Sequence, residues 1–137
     1  MHRLLPLLSA AALLAAMPLI AGAQPAKPAL YTAEQATAGA VVYSQACAAC
    51  HGAQLEGVAA PALKGSVFGE MAAAQGLTAQ SLLDVIANTM PQSDPGSLKP
   101  EDNNAVTAYI LQQNGYPAGS TALAKGAAGL ADAKVRP

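Results

Sequence analysis

Cys47-Ala48-Ala49-Cys50-His51 is the stretch on which the reading of this chain turns. On a helix, residues three apart share a face. Both sulfurs can therefore bond carbons on the same edge of a porphyrin, with the adjacent imidazole turned beneath the ring toward iron. Ala48 and Ala49 keep the space between the sulfurs and the macrocycle clear. The C-x-x-C-H spacing is that of covalent haem attachment. Two other chemistries also use paired cysteines. A redox dithiol of the thioredoxin kind follows a strand and opens a helix, whereas this motif closes a helical pattern with no strand beside it. A structural zinc ion needs four ligands, and beyond the first two dozen residues the soft donors of the usual kind are Cys47, Cys50 and His51 alone. Neither alternative fits.

An iron bound through His51 has a second axial position. His51 is the only histidine outside the N-terminal stretch, so ligation by two histidines of one chain is excluded, and Met71 and Met90 are left as thioether candidates. Met90 precedes Pro91, which disfavours the α conformation and should hold Met90 extended in a loop after a helix. Met71, twenty residues past His51 in Phe68-Gly69-Glu70-Met71-Ala72, reads as a packing residue, the usual role of methionine. The expected metal ligands are His51 and Met90. A thioether on iron favours the ferrous state and raises the reduction potential.

Working outward, Thr32-x-x-Gln35 has the form of a capping box, and the pattern from Ala33 to about Ala46 predicts a helix with Ala38, Val41, Val42 and Ala46 as its apolar stripe. Gly52 to Gly76 is rich in Gly and Pro and predicts a loop, which is long for a compact domain unless something orders it. Thr78 caps a second helix over Ala79 to Thr89, with Leu82, Leu83, Val85 and Ile86 apolar. Pro100, Glu101 and Asp102 suit the first turn of a third. Along that helix Val106, Tyr109, Ile110 and Gln113 share a face, and Gly115 is its stop.

The N-terminus has the form of a secretory signal peptide over 1–23: a short basic start at Arg3, an uncharged apolar run from Leu4 to Ile20, and Ala21-Gly22-Ala23 before Gln24. The competing expectation is an uncleaved anchor, since the run is just long enough to span a bilayer. Cleavage would leave 114 residues, with an extended leader at 24–31, a main domain at 32–116 and a weakly ordered tail at 117–137, where the sequence decays to Ala, Gly and small polar residues. That chain carries six Lys and Arg, scattered singly, against eight Asp and Glu. Such a balance excludes the concentrated basic face of a nucleic-acid binder and a polybasic membrane patch. With no Trp, one Phe and four Tyr, the core inventory is thin for a domain of this size, and a haem among Leu55, Leu63, Leu82, Leu83, Ile86 and Ile110 would fill it.

From Thr32 to Gly115 the sequence resembles the class I cytochromes c, and in its wider phrasing (Thr89-Met90-Pro91, Pro95-Gly96-Ser97-Leu98, Ala108-Tyr109-Ile110-Leu111) the small bacterial periplasmic ones. Gly39-x-x-x-Tyr43 resembles the family's first helix, whose glycine lets a later helix cross closely, and Tyr109 the aromatic packed at that crossing. Pro61-x-Leu63-x-Gly65 is similar to the loop whose proline carbonyl accepts a hydrogen bond from the ligand imidazole, and Met90-Pro91 matches the axial-methionine loop. The resemblance implies an all-α cytochrome c fold, with three main helices and long loops wrapped around one haem c attached through Cys47 and Cys50. It implies a one-electron carrier in the periplasm, a monomer with no catalysis of its own, serving redox partner proteins such as a periplasmic dehydrogenase or a membrane oxidase or reductase. Two other readings stay open: a subunit held permanently in a dehydrogenase or oxidase complex, and a haem sensor or peroxidase-like protein with a labile sixth ligand. Unlike the mitochondrial branch, this chain lacks lysines around the haem edge, so docking should depend little on salt.

Overall fold

The computed structural model describes residues 26–136; the expected signal peptide, the first two leader residues and Pro137 lie outside the described residues. The first helix, α1 (Ala33–Ala46), begins where Thr32 and Gln35 exchange side-chain-to-backbone bonds. This is the predicted capping box, and such a cap is worth about 1 kcal/mol. A single turn, α2 (Ala48–His51), follows at once. Then come α3 (Gly65–Ala74), α4 (Ala79–Thr89) and α5 (Pro100–Gln113). Among the described residues there is no strand, only one isolated bridge between Thr78 and Lys134.

The three predicted helices appear with their expected starts. Thr78 and Ser81 form a second capping box at α4, and Pro100, Glu101 and Asp102 open α5. The end of α5 is built by Gly115 at φ +78°, with Tyr116 N–H bonded to Leu111 O and Gly115 N–H to Gln112 O. That left-handed C-terminal closure favours glycine.

Three expectations fail. The apolar stripe of α1 is only partly right: Val42 packs against the core, but Ala36, Gly39 and Tyr43 are the residues buried there, while Ala38 is exposed and Val41 is 55% exposed. The three buried residues do lie at helical spacing, but one is a glycine and another an alanine, so the larger Val41 masked them. The stretch from Gly52 to Gly76 is not all loop, because α3 occupies its second half and buries Phe68, Gly69 and Ala72. Glycines at both 65 and 69 and an uncapped start at Lys64 hide that helix from pattern reading. Its closure at Gly76 (φ +63°) repeats that of α5, with Leu77 N–H bonded to Ala72 O.

The third concerns the segment after Pro117, which is ordered by contacts rather than loose. It contains no regular helix, yet Leu123, Leu130, Ala133 and Val135 are buried. Gln35 holds Leu123 through both its N–H and its carbonyl. The N–H groups of Ala79 and Gln80 bond Ala133 O and Leu130 O, and Val135 N–H bonds Leu77 O. Tyr116 donates its hydroxyl to Lys134 O. The polar, glycine-rich composition suggested weak order because the burying residues are single and far apart. Each fully buried Leu or Val nonetheless contributes roughly 1.5–3 kcal/mol, and here they tie the leader, α1 and the start of α4 together.

The frame of the domain is the crossing of α1 and α5. A Cβ on Gly39 would collide with Ala105 O and come within 2.9 Å of Tyr109 Cβ, so only glycine permits this approach. Beside it, the Tyr43 and Tyr109 rings meet at 5.4 Å between centroids, tilted by 52°. This is the close crossing the resemblance implied.

Candidate functional site

Cys47 ends α1, and its N–H still bonds Tyr43 O. The chain then tightens into α2, with the N–H groups of Cys50 and His51 bonded to Cys47 O. The motif thus occupies one compact helical turn that brings both cysteines and the histidine together. The cysteines are free rather than disulfide-bonded; Cys47 is half-buried and Cys50 exposed. Burial pushes the Cys47 thiol above its ordinary range, the opposite of the lowered value an attacking thiolate needs. Among the described residues no group of three or more His, Cys, Asp or Glu side chains is arranged to hold a metal ion.

The imidazole of His51 is aimed. Its Nδ1 lies 2.8 Å from Pro61 O, and a carbonyl can only accept, so Nδ1 carries the proton and Nε2 presents its lone pair. The loop that brings Pro61 there is closely bonded. Gly57 N–H donates to His51 O at 2.7 Å, the N–H groups of Val58, Ala59 and Ala60 point at Cys50 O, and Leu63 N–H donates to Leu55 O at 2.9 Å. Leu55 sits fully buried at φ +63°, a left-handed conformation that costs a leucine roughly 1–2 kcal/mol. From α1, Tyr43 donates its hydroxyl to Gly52 O at 2.7 Å. From α5, Asn114 bonds Leu63 O and Gly65 N–H.

Met90 closes α4 in extended conformation, φ −119° and ψ 155°, as its place before proline dictates. It is half-buried. Met71, by contrast, packs against the central core cluster, as a filler residue would. The Met90 loop is lightly held. Its bonds run from Asp94 N–H to Pro91 O, Gly96 N–H to Met90 O and Ser97 N–H to Asp94 O. One long bond reaches it from α5, Asn103 Nδ2 to Leu98 O at 3.4 Å, and the buried Oδ1 of Asn103 has no partner among the described residues.

The donor set suits a haem: two unpaired sulfurs on one turn, an oriented imidazole nitrogen, and a thioether outside the core cluster. The residues that sequence reasoning passed over are Asn114 and Asn103. Asn114, before a glycine at a helix end, reads as an ordinary cap, and Asn103 as one polar residue near the start of α5, so nothing in the pattern pointed to the loops they reach.

Residues 34–110, more than half of the chain, match the family model described as "Cytochrome C oxidase, cbb3-type, subunit III". No curated protein sequence matches the chain. Among solved structures, the crystal structure of the sulfane dehydrogenase SoxCD from Paracoccus pantotrophus is similar at a TM-score of 0.56 and 22% identity. The likeness covers 73% of this chain but 52% of that one, so the chain spans about half the length of its structural neighbour. At that identity the likeness speaks for the fold.

Proposed function

Because this chain belongs to the cytochrome c family described by subunit III of the cbb3-type oxidases, we propose that it is a periplasmic electron carrier with one haem c joined through Cys47 and Cys50 and ligated by His51 and Met90. Bound haem supplies one-electron chemistry, its iron alternating between ferric and ferrous states under two strong-field ligands. The protein's own residues do the rest. Cys47 and Cys50 would hold the haem to α2, Pro61 would orient the His51 imidazole, and Met90 would supply the thioether ligand that keeps substrate from the iron.

One observation carries the reading: His51, on the turn that bears both cysteines, has its Nδ1 tied to the Pro61 carbonyl of the following loop, leaving Nε2 as the donor. Apolar side chains are exposed close to that turn in the sequence. Val58 is 74% exposed, with Ala49, Ala59 and Pro61 also exposed nearby in the chain. This suits a small transient redox interface with weak salt dependence. No helix among the described residues is long and apolar enough to cross a membrane.

The test is the purified protein from a host that matures c-type haem. Mass should rise by one haem, and the reduced spectrum should be low-spin, with slow carbon monoxide uptake at neutral pH. Unmodified thiols with no added haem mass would overturn the proposal. Because the SoxCD structure is that of a dehydrogenase, the second reading is a permanent complex subunit. Stoichiometric co-purification with a dehydrogenase from the native membrane or periplasm would favour it over a freely diffusing carrier.

A further inference from the structure

Asn114 closes α5, sixty-three residues beyond the haem-binding histidine proposed above, yet its side chain works on the loop that serves that histidine. Nδ2 donates to Leu63 O and to Ile110 O, both at 2.8 Å, and Oδ1 accepts from Gly65 N–H at 3.3 Å. Leu63 is thereby held from both sides, its N–H by Leu55 O and its carbonyl by Asn114. Pro61, two residues upstream, offers its carbonyl to His51 Nδ1. Asn114 is itself fixed, since Lys27 Nζ donates to its backbone carbonyl at 2.7 Å and α5 is locked against α1 at Gly39.

We infer that Asn114 is a positioning residue for the iron: it keeps residues 61–65 in register so that the Pro61 carbonyl stays bonded to His51. The inference rests on His51 being the haem ligand. An imidazole that donates Nδ1–H to a carbonyl is more basic at Nε2, and a more basic ligand favours ferric iron. With the side-chain amide removed, Leu63 O and Gly65 N–H turn to water, the loop drifts, and the His51 bond lengthens. The plainer role for Asn114 is a helix cap through Ile110 O, which would change stability and nothing at the iron.

The experiment compares holo-protein carrying Asn114→Ala with wild type and with Gln112→Ala, an exposed neighbour on the same turn. Two quantities are read: the midpoint potential by spectroelectrochemistry, and solvent exchange of the His51 Nδ1 proton by NMR on the ferrous protein. Asn114→Ala should have a higher potential and roughly tenfold faster exchange, as expected for a weakened hydrogen bond. Gln112→Ala should match wild type. Asn114→Gln, which keeps the amide on a longer arm, should fall between. If Asn114→Ala yields too little holo-protein, Asn114→Ser and Asn114→Gln are read in the same way. A lower melting temperature with unchanged potential and exchange would reduce Asn114 to a cap and overturn the inference. A wild type that is low-spin and His51-ligated, beside insensitive variants, sinks this inference alone; a wild type without haem on His51 sinks the functional reading as well.

Discussion

Residues 52–64, which follow His51, are bonded back to α2 through Gly57 and residues 58–60, across themselves through Leu63 and Leu55, to α1 through Tyr43 and to α5 through Asn114. Residues 90–99, which follow α4, close mainly on their own turns, and residues 92–97 are all exposed. α5 reaches each loop with an asparagine. Asn114 makes three bonds, two of them at 2.8 Å. Asn103 makes one side-chain bond, at 3.4 Å, and its buried Oδ1 has no partner among the described residues. The difference teaches that the histidine side is fixed by the fold, whereas the methionine side is held chiefly by the ends of its loop. Local opening should therefore begin at Met90.

The largest expected contrast comes from deleting each proposed ligand. His51→Ala should abolish accumulation of low-spin holo-protein. Met90→Ala should keep the covalent haem and the helical circular dichroism while opening the sixth position, so that ferrous protein takes up carbon monoxide at once. Equal behaviour of the two variants would erase the asymmetry.

Next comes the C-terminal strap. Leu130 is buried, and its carbonyl holds Gln80 N–H in the first turn of α4, the helix that ends at Met90. Leu130→Ala should lower stability by about 2–5 kcal/mol. In a guanidinium titration, the near-infrared band of methionine-ligated ferric iron should disappear at a lower concentration than the far-ultraviolet signal, with the gap wider than in wild type. Gly39→Ala acts on both sides instead. Its Cβ would strike Ala105 O, and shifting α5 moves both asparagines, at a cost of about 1–3 kcal/mol. There the two signals should fall together. A gap as wide as that of the strap variant would show that the α1–α5 crossing does not serve both loops equally.

Much of this was readable in the sequence because the signals were local. Thr32-x-x-Gln35, Thr78, Pro100 and Gly115 mark helix ends by chemistry within a few residues, and Met90 is extended because Pro91 follows it. What escaped depends on distant partners. Whether Leu123, Leu130 and Val135 are tail or core is decided by Gln35, Leu77 and Gln80, which lie tens of residues away. The α1 stripe was misread for a related reason: Gly39 faces inward only because α5 crosses there. The roles of Asn114 and Asn103 follow from which loop each one faces, and a single chain's residue order does not hold that information.

The smallest effect tests the rigid side by itself. Tyr43 is buried and donates its hydroxyl to Gly52 O. Burial, joined by the nearby Cys47, Tyr109 and Glu56, pushes that hydroxyl up to about 12; in the proposed haem-bound form the Cys47 contribution would fall away, because a thioether does not ionise. In the unfolded chain a tyrosine titrates near pH 10. The fold therefore favours the protonated hydroxyl, and its stabilisation is complete below about pH 10 and is lost as pH rises toward 12. Tyr43→Phe should cost about 1–2 kcal/mol at pH 8, since Gly52 O loses its donor, and the deficit relative to wild type should shrink when denaturation is repeated at pH 11. Two curves that stay parallel between those pH values would show that the hydroxyl does not couple ionisation to folding. Because the Tyr43 hydroxyl braces only the loop after His51 and the ring is kept in Tyr43→Phe, the methionine–iron band should keep its wild-type intensity in this variant; a weakened band would mean that the two loops open as one unit.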